Sequence, residues 1–150
     1  MPVYRIEPPG DEPSAVLEAR GPLVLAQIGV PELLARNLRA HGLEIPEDQR
    51  GPCVVDTGAS LTGVDLGVAQ ALGLPPFTTA VVCTPTGTEE RSVYVVRLEF
   101  PGSGLPTRDP ARVLGVDLEP LGLAALIGRD FLRELVMVYD GTAGTVTLAY

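Results

Sequence analysis

Residues 53–60 read Cys53-Val54-Val55-Asp56-Thr57-Gly58-Ala59-Ser60, an apolar run that stops in a carboxylate, a hydroxyl and a glycine. Val54 and Val55 are β-branched and suit a strand held in a core. A strand end is a rigid mount, so it aims Asp56. Gly58 permits a tight turn and close backbone approach, and neighbouring amides can hold the carboxylate oxygens. The Thr57 hydroxyl is available to tie the loop to its surroundings. Taken alone, Asp-Thr-Gly is equally an ordinary β-turn. A second stretch makes the pair specific: Leu126-Ile127-Gly128-Arg129-Asp130-Phe131-Leu132 again runs apolar pair, glycine, polar pair, then a short helix.

Outward from Asp56 the chain reads as short strands with proline and glycine at the turns. Residues 1–21, with Pro8, Pro9, Gly10 and Pro13, are expected to form a flexible tail, and residues 22–150 one domain. Leu23 to Val30 is a first strand. A helix from Pro31 to His41 follows, with Gly42 at its C-cap, and a polar, turn-rich stretch from Glu44 to Pro52 leads into the strand ending at Val55. Residues 31–52 thus form a helical and loop insertion. Val64 to Leu74 reads as a short helix stopped by Pro75 and Pro76. Thr78 to Cys83 and Ser92 to Phe100 form a long hairpin around Thr84-Pro85-Thr86-Gly87-Thr88. Beyond a Pro101 to Pro110 loop come strands at Ala111 to Leu118 and Ala125 to Ile127, and a short helix from Asp130 to Leu135. The chain ends with strands at Val136 to Tyr139 and Thr145 to Tyr150. Brief helices among many short strands predict an all-β class, a closed or folded β-barrel.

Composition removes several alternatives. The chain of 150 residues is 45% hydrophobic and 20% charged, which is ordinary globular usage. No apolar run approaches the roughly 20 residues that span a bilayer, and the acidic, proline-rich start does not read as an export leader, so a cytoplasmic location without membrane partners is expected. The net charge is −8 and all 11 basic residues are arginines, scattered without a stripe that could track a phosphate backbone. Nucleic acid is therefore not an expected partner. Cys53 and Cys83 read as two small buried hydrophobes and, with one histidine, are too few for a tetrahedral zinc site. No metal is expected. That histidine, His41, closes a helix, where a cation suits the carboxyl end.

The two motifs together resemble the retropepsin-like aspartic peptidases, the retroviral-type, single-domain kind, in a bacterial-like form. Subunits of that family pair an apolar-apolar-Asp-Thr-Gly-Ala loop with a later apolar-Ile-Gly-Arg segment. The resemblance covers Leu23 to Tyr150, although only the motifs are sequence-specific. It implies the family's acid-protease fold and an endopeptidase working as a homodimer, because peptide hydrolysis there uses two carboxylates around one water and this chain has a single Asp-Thr-Gly. It implies Asp56 as the catalytic acid and Thr57, Gly58, Ala59 and Ser60 as its loop. Residues 84–88 correspond to a flap over an extended peptide or protein substrate. Ile127, Gly128, Arg129 and Asp130 correspond to a structural segment near the dimer interface, and no cofactor is implied.

Departures from the family pattern carry their own expectations. Pepsin-like relatives place a hydroxyl where Ala59 stands, so a less acidic optimum is expected. The retroviral aspartate that helps hold the arginine is Ser60 here, so Arg129 requires another partner. The terminal strand from Thr145, with Val146 and Leu148 on one face, is the expected dimer surface. Other readings stay open: a catalytically silent dimerisation or peptide-binding module of the same fold, a hydrolase that uses His41, an ordinary surface hairpin at 84–88, and a solvated arginine at 129.

Overall fold

A computed structural model describes every residue from Met1 to Tyr150, and strands outweigh short helices throughout. In chain order the elements are β1 (Val3–Ile6), α1 (Pro13–Arg20), β2 (Leu23–Gly29), α2 (Glu32–Ala40), β3 (Gln49–Val55), β4 (Gly63–Asp65), α3 (Leu66–Ala71), β5 (Thr78–Thr84), β6 (Gly87–Glu99), β7 (Arg108–Val116), a 3₁₀ turn (Glu119–Leu121), β8 (Ala125–Ile127), α4 (Arg129–Leu132), β9 (Val136–Asp140) and β10 (Thr145–Ala149). Seven strands form one sheet in the order β2-β3-β8-β4-β7-β6-β5, and β1-β10-β9 form another. The far end of β6 also pairs with β2, Ile28 opposite Leu98, so the larger sheet's hydrogen-bonded order returns on itself. Its inward side chains, among them Ile28, Val96, Leu98, Val113 and Ile127, pack into one continuous core. Each such burial removes roughly 1.5–3 kcal/mol worth of apolar surface from water.

The strand order around the motif follows from two parallel pairs. β3 runs parallel to β8 and β4 runs parallel to β7, while β4 and β8 are antiparallel. Parallel neighbours cannot be joined by a tight turn. β8 is accordingly inserted between β3 and β4, which are consecutive in the chain, and the connection from Asp56 to Thr62 must cross the end of β8.

Several sequence expectations change. The first 21 residues are not a loose tail: β1 pairs with β10 from Val3–Ala149 to Ile6–Val146, and Ile6 and Leu17 are buried in the core. Two buried side chains amid prolines are too few to make a periodic signal. Val64 and Asp65, read as the start of a helix, belong to a strand, Gly63–Asp65, because β7 and β8 flank it, and neighbours override propensity in a segment this short. β3 begins at Gln49, inside the stretch read as turns, and it tolerates Pro52 because β8 pairing starts only at Cys53. β7 starts at Arg108, within the expected loop.

The expected helix at 31–41 is α2, with Pro31 before its first turn, His41 at its end and Gly42 at φ 65°. Its first amide, Glu32 N–H, donates to the Asp109 carboxylate at 3.1 Å, a cap supplied by β7. The expected terminal dimer surface is also corrected. β10 is the central strand of its own sheet, and Val146 and Leu148 are fully buried against this chain's core.

Candidate active site

The site is built at the carboxyl ends of β3 and β8. Val54 lies opposite Leu126 and Val55 opposite Ile127, so both motifs leave the sheet side by side. The Asp56 amide donates to the Ile127 carbonyl at 2.9 Å, extending the ladder by one bond into the loop. The crossing imposed by the strand order then brings the loop backbone against Gly128. A Cβ on that residue would stand 2.5 Å from the Leu61 carbonyl carbon and 2.6 Å from its oxygen. Only glycine fits there.

Backbone bonds continue the seam, from Arg129 N–H to Ala59 C=O at 2.9 Å and from Asp130 N–H to Ser60 C=O at 3.2 Å. Asp130 adds a side-chain hub. Its Oδ1 accepts from Thr62 N–H (2.9 Å), Thr62 Oγ1–H (2.7 Å) and Phe131 N–H (2.9 Å), while Gly128 N–H donates to Thr62 Oγ1 at 3.1 Å. Thr62 is buried, so these bonds are made in a shielded setting where leaving one unmade is costly. Nothing in the sequence marks Thr62, a lone threonine beside apolar residues. Arg129 finds the partner that Ser60 denies it in the loop backbone: its Nη1 donates to Thr57 C=O at 2.8 Å.

Asp56 itself is half-buried, and Thr57 and Gly58 are exposed. Its Oδ1 accepts Gly58 N–H at 2.8 Å, and its Oδ2 has no hydrogen-bond partner within the chain. No arginine forms an ion pair with it. The arrangement is one carboxylate held by its own loop, with one oxygen presented outward to water or to another group. The Thr57 hydroxyl makes no bond within the chain. Cys53, three positions earlier, is buried, and burial pushes its thiol well above the ordinary range even against a backbone hydrogen bond at Ile127. It stays a neutral thiol and is no nucleophile.

The structure thus brings Asp56 to Ser60 together with Ile127 to Asp130, and it leaves residues 84–88 apart from them. Thr84 pairs with Gly87 across a two-residue turn at Pro85-Thr86. Every non-glycine residue keeps negative φ, and Gly87 takes φ 139°. β6 pairs with β7 only from Val93 onward, so its outer half, from Gly87 to Ser92, pairs with β5 alone and forms a two-stranded ribbon beyond the sheet. No hydrogen bond joins its tip to the Asp56 loop. His41 is exposed at the end of α2, with Nδ1 2.8 Å from Asn37 O. Cys83, expected to be buried, is exposed on β5, where alternate residues face solvent. No group of three or more histidine, cysteine, aspartate or glutamate side chains is placed to hold a metal ion. No helix is long and apolar enough to cross a membrane.

No protein-family model and no curated protein matches the chain. Among solved structures it is similar to the solution structure of Simian Foamy Virus (mac) protease, with a TM-score of 0.45 and 16% identity, covering 74% of this chain and 91% of that one. A superposition this partial bears on neither activity nor assembly.

Proposed function

We propose that the chain is an aspartic endopeptidase of retropepsin-like fold, its larger sheet folded into a barrel, which works as a homodimer on extended peptides. The observation that carries the reading is the half-site. One carboxylate stands at a strand end, fixed by Gly58 and Ile127, with its second oxygen free of any partner in the chain. A lone exposed carboxylate is a weak base toward water and has no acid to match it. Two copies brought to about 3 Å cannot both ionise cheaply, so they share one proton and hold one water between them. The ionised Asp56 takes a proton from that water as its oxygen bonds to the scissile carbonyl carbon. The protonated Asp56 of the second copy gives its proton to the carbonyl oxygen. Collapse of the tetrahedral intermediate breaks the C–N bond, with the departing nitrogen taking a proton from one carboxyl group and a hydroxyl of the intermediate returning one to the other.

Exposed Thr57 and Gly58 leave the loop open to a second copy, and the ribbon at 84–88 supplies a strand edge and a cover for a bound peptide. The test is Asp56→Asn. Peptide cleavage should fall by about 10²–10⁴-fold or more. Sedimentation should find a dimer in both forms, since asparagine keeps the carbonyl that accepts Gly58 N–H. Undiminished cleavage would sink the reading. Loss of cleavage in His41→Ala but not in Asp56→Asn would transfer the chemistry to the histidine. A dimer that binds peptides and cuts none would leave a binding module.

A further inference from the structure

A cavity of about 300 Å³ opens between the start of β7 and α4, behind the Thr62–Asp130 hub, which forms part of its wall. Three of the chain's 11 arginines line it, Arg108, Arg112 and Arg133, in a molecule of net charge −8. Such a concentration needs a reason, because like charges repel unless something opposes them. The carboxylates on the same wall are Glu134 and Asp130. Glu134 pairs with Arg108, and Asp130 spends its Oδ1 on Thr62 and Phe131. Arg133 has no ion-pair or hydrogen-bond partner for its guanidinium, and Arg112 has only the Phe77 ring, 5.0 Å away. Arg108 stacks over Phe131 at 4.9 Å, and its Nε–H is buried with no acceptor. Arg108 is thus engaged by Glu134 and Phe131, whereas the Arg112 and Arg133 guanidiniums have no carboxylate partner and are open to an incoming oxyanion. Leu98, Val113 and Phe131 supply an apolar wall beside the charges.

We propose that this cavity binds a small organic anion, an oxyanion carried on an apolar or aromatic body, taken up by the Arg112 and Arg133 guanidiniums with its body beside the Arg108–Phe131 stack. The volume lies at the lower end of ligand sites, roughly 300–1,000 Å³. Phosphate and carboxylate share the forked geometry that guanidinium recognises.

The inference is independent of the peptidase reading, and Asp56→Asn protein should bind as the unchanged chain does. The experiment is an amide chemical-shift titration at fixed ionic strength with phenyl phosphate, benzoate and inorganic phosphate. Saturable movement centred on Ala111, Arg112, Phe131 and Arg133 with at least one of the aromatic probes is expected, and it should exceed that from inorganic phosphate. The tighter of the two aromatic probes identifies the anionic group. Arg112→Ala and Arg133→Ala alter exposed side chains that hold no fold contact beyond the Phe77 stack, and each should weaken binding about tenfold or more. Arg36→Ala, on α2 outside the cavity, should leave it unchanged. Shifts that fail to saturate by about 10 mM, or binding that survives both cavity substitutions, would overturn the assignment.

Discussion

The Asp56 loop and the ribbon at 79–92 are both connections rich in threonine and glycine, and their structures are opposite. The loop runs over the end of β8 and is pinned at each step: by the Ile127 carbonyl at its start, by Arg129 and Asp130 along its middle, and by the Thr62–Asp130 hub at its end. The ribbon has its own cross-strand ladder and little else. Its side-chain bonds, Thr79 to Glu90, Arg91 to Glu89 and Thr84 to Gly87, stay within it, and Val81 on its face is 71% exposed. Turn chemistry alone therefore does not make a connection rigid or loose. What decides is whether the strand order forces it across another element. In the proposed reading this division serves catalysis, since the acid must be held to a fraction of an ångström while a cover must admit and release a peptide.

The largest effect should come from one added methyl group. Gly128→Ala places a Cβ against the backbone of Leu61, which has no side-chain freedom with which to yield. Stability should fall by about 3 kcal/mol or more, read from the urea midpoint at unchanged slope. A loss near zero would mean the loop does not cross β8 as described. Asp130→Ala comes next. It leaves Thr62 N–H, Thr62 O–H and Phe131 N–H without an acceptor and should cost about 2–4 kcal/mol, whereas Asp130→Asn keeps an oxygen in place and should cost about 1 kcal/mol. Equal losses in the two variants would show that charge, and not the acceptor, closes the hub.

A smaller change concerns the loop's chemistry. Ala59 follows Gly58 and offers no hydroxyl to the carboxylate. In the proposed dimer, the new donor that Ala59→Ser adds beside the paired carboxylates favours the ionised form, so the acid limb of the activity profile should move to lower pH by about half a unit or more. A move toward alkali would contradict the shared-proton account, and the measurement is the dependence of kcat/KM on pH.

Much of the site was legible because its signals are local. Val54-Val55 before Asp56, Ile127 before Gly128, and Gly42 after α2 each announce their backbone state through side-chain branching or glycine freedom, and the structure places all three as read. The parts that were not legible depend on partners far along the chain. Gly63–Asp65 is a strand through its β7 and β8 neighbours, and Thr62 matters because Asp130 comes to lie beside it. Arg129 reads as an arginine awaiting a carboxylate, and it is satisfied by a carbonyl that only the crossing brings near. β1 and α1 hide among prolines because Ile6 and Leu17 contribute single buried contacts, and no period can be read from one residue.

The smallest effect repeats the first substitution in the other region. Gly87 sits at φ 139°, a conformation that alanine adopts only with strain, yet a Cβ there would meet no atom within 4 Å. The local cost is about 1 kcal/mol. It falls on a segment that pairs with nothing but its own other half, and such a segment can open without the core opening. Gly87→Ala should therefore shift the global unfolding midpoint by less than about 0.5 kcal/mol, while amide exchange at Thr84 and Thr88 quickens and the Asp56 and Thr62 amides stay protected. If Gly87→Ala lowered the midpoint as far as Gly128→Ala does, the ribbon would belong to the cooperative core, and the proposed role of a separately moving cover would have to be abandoned.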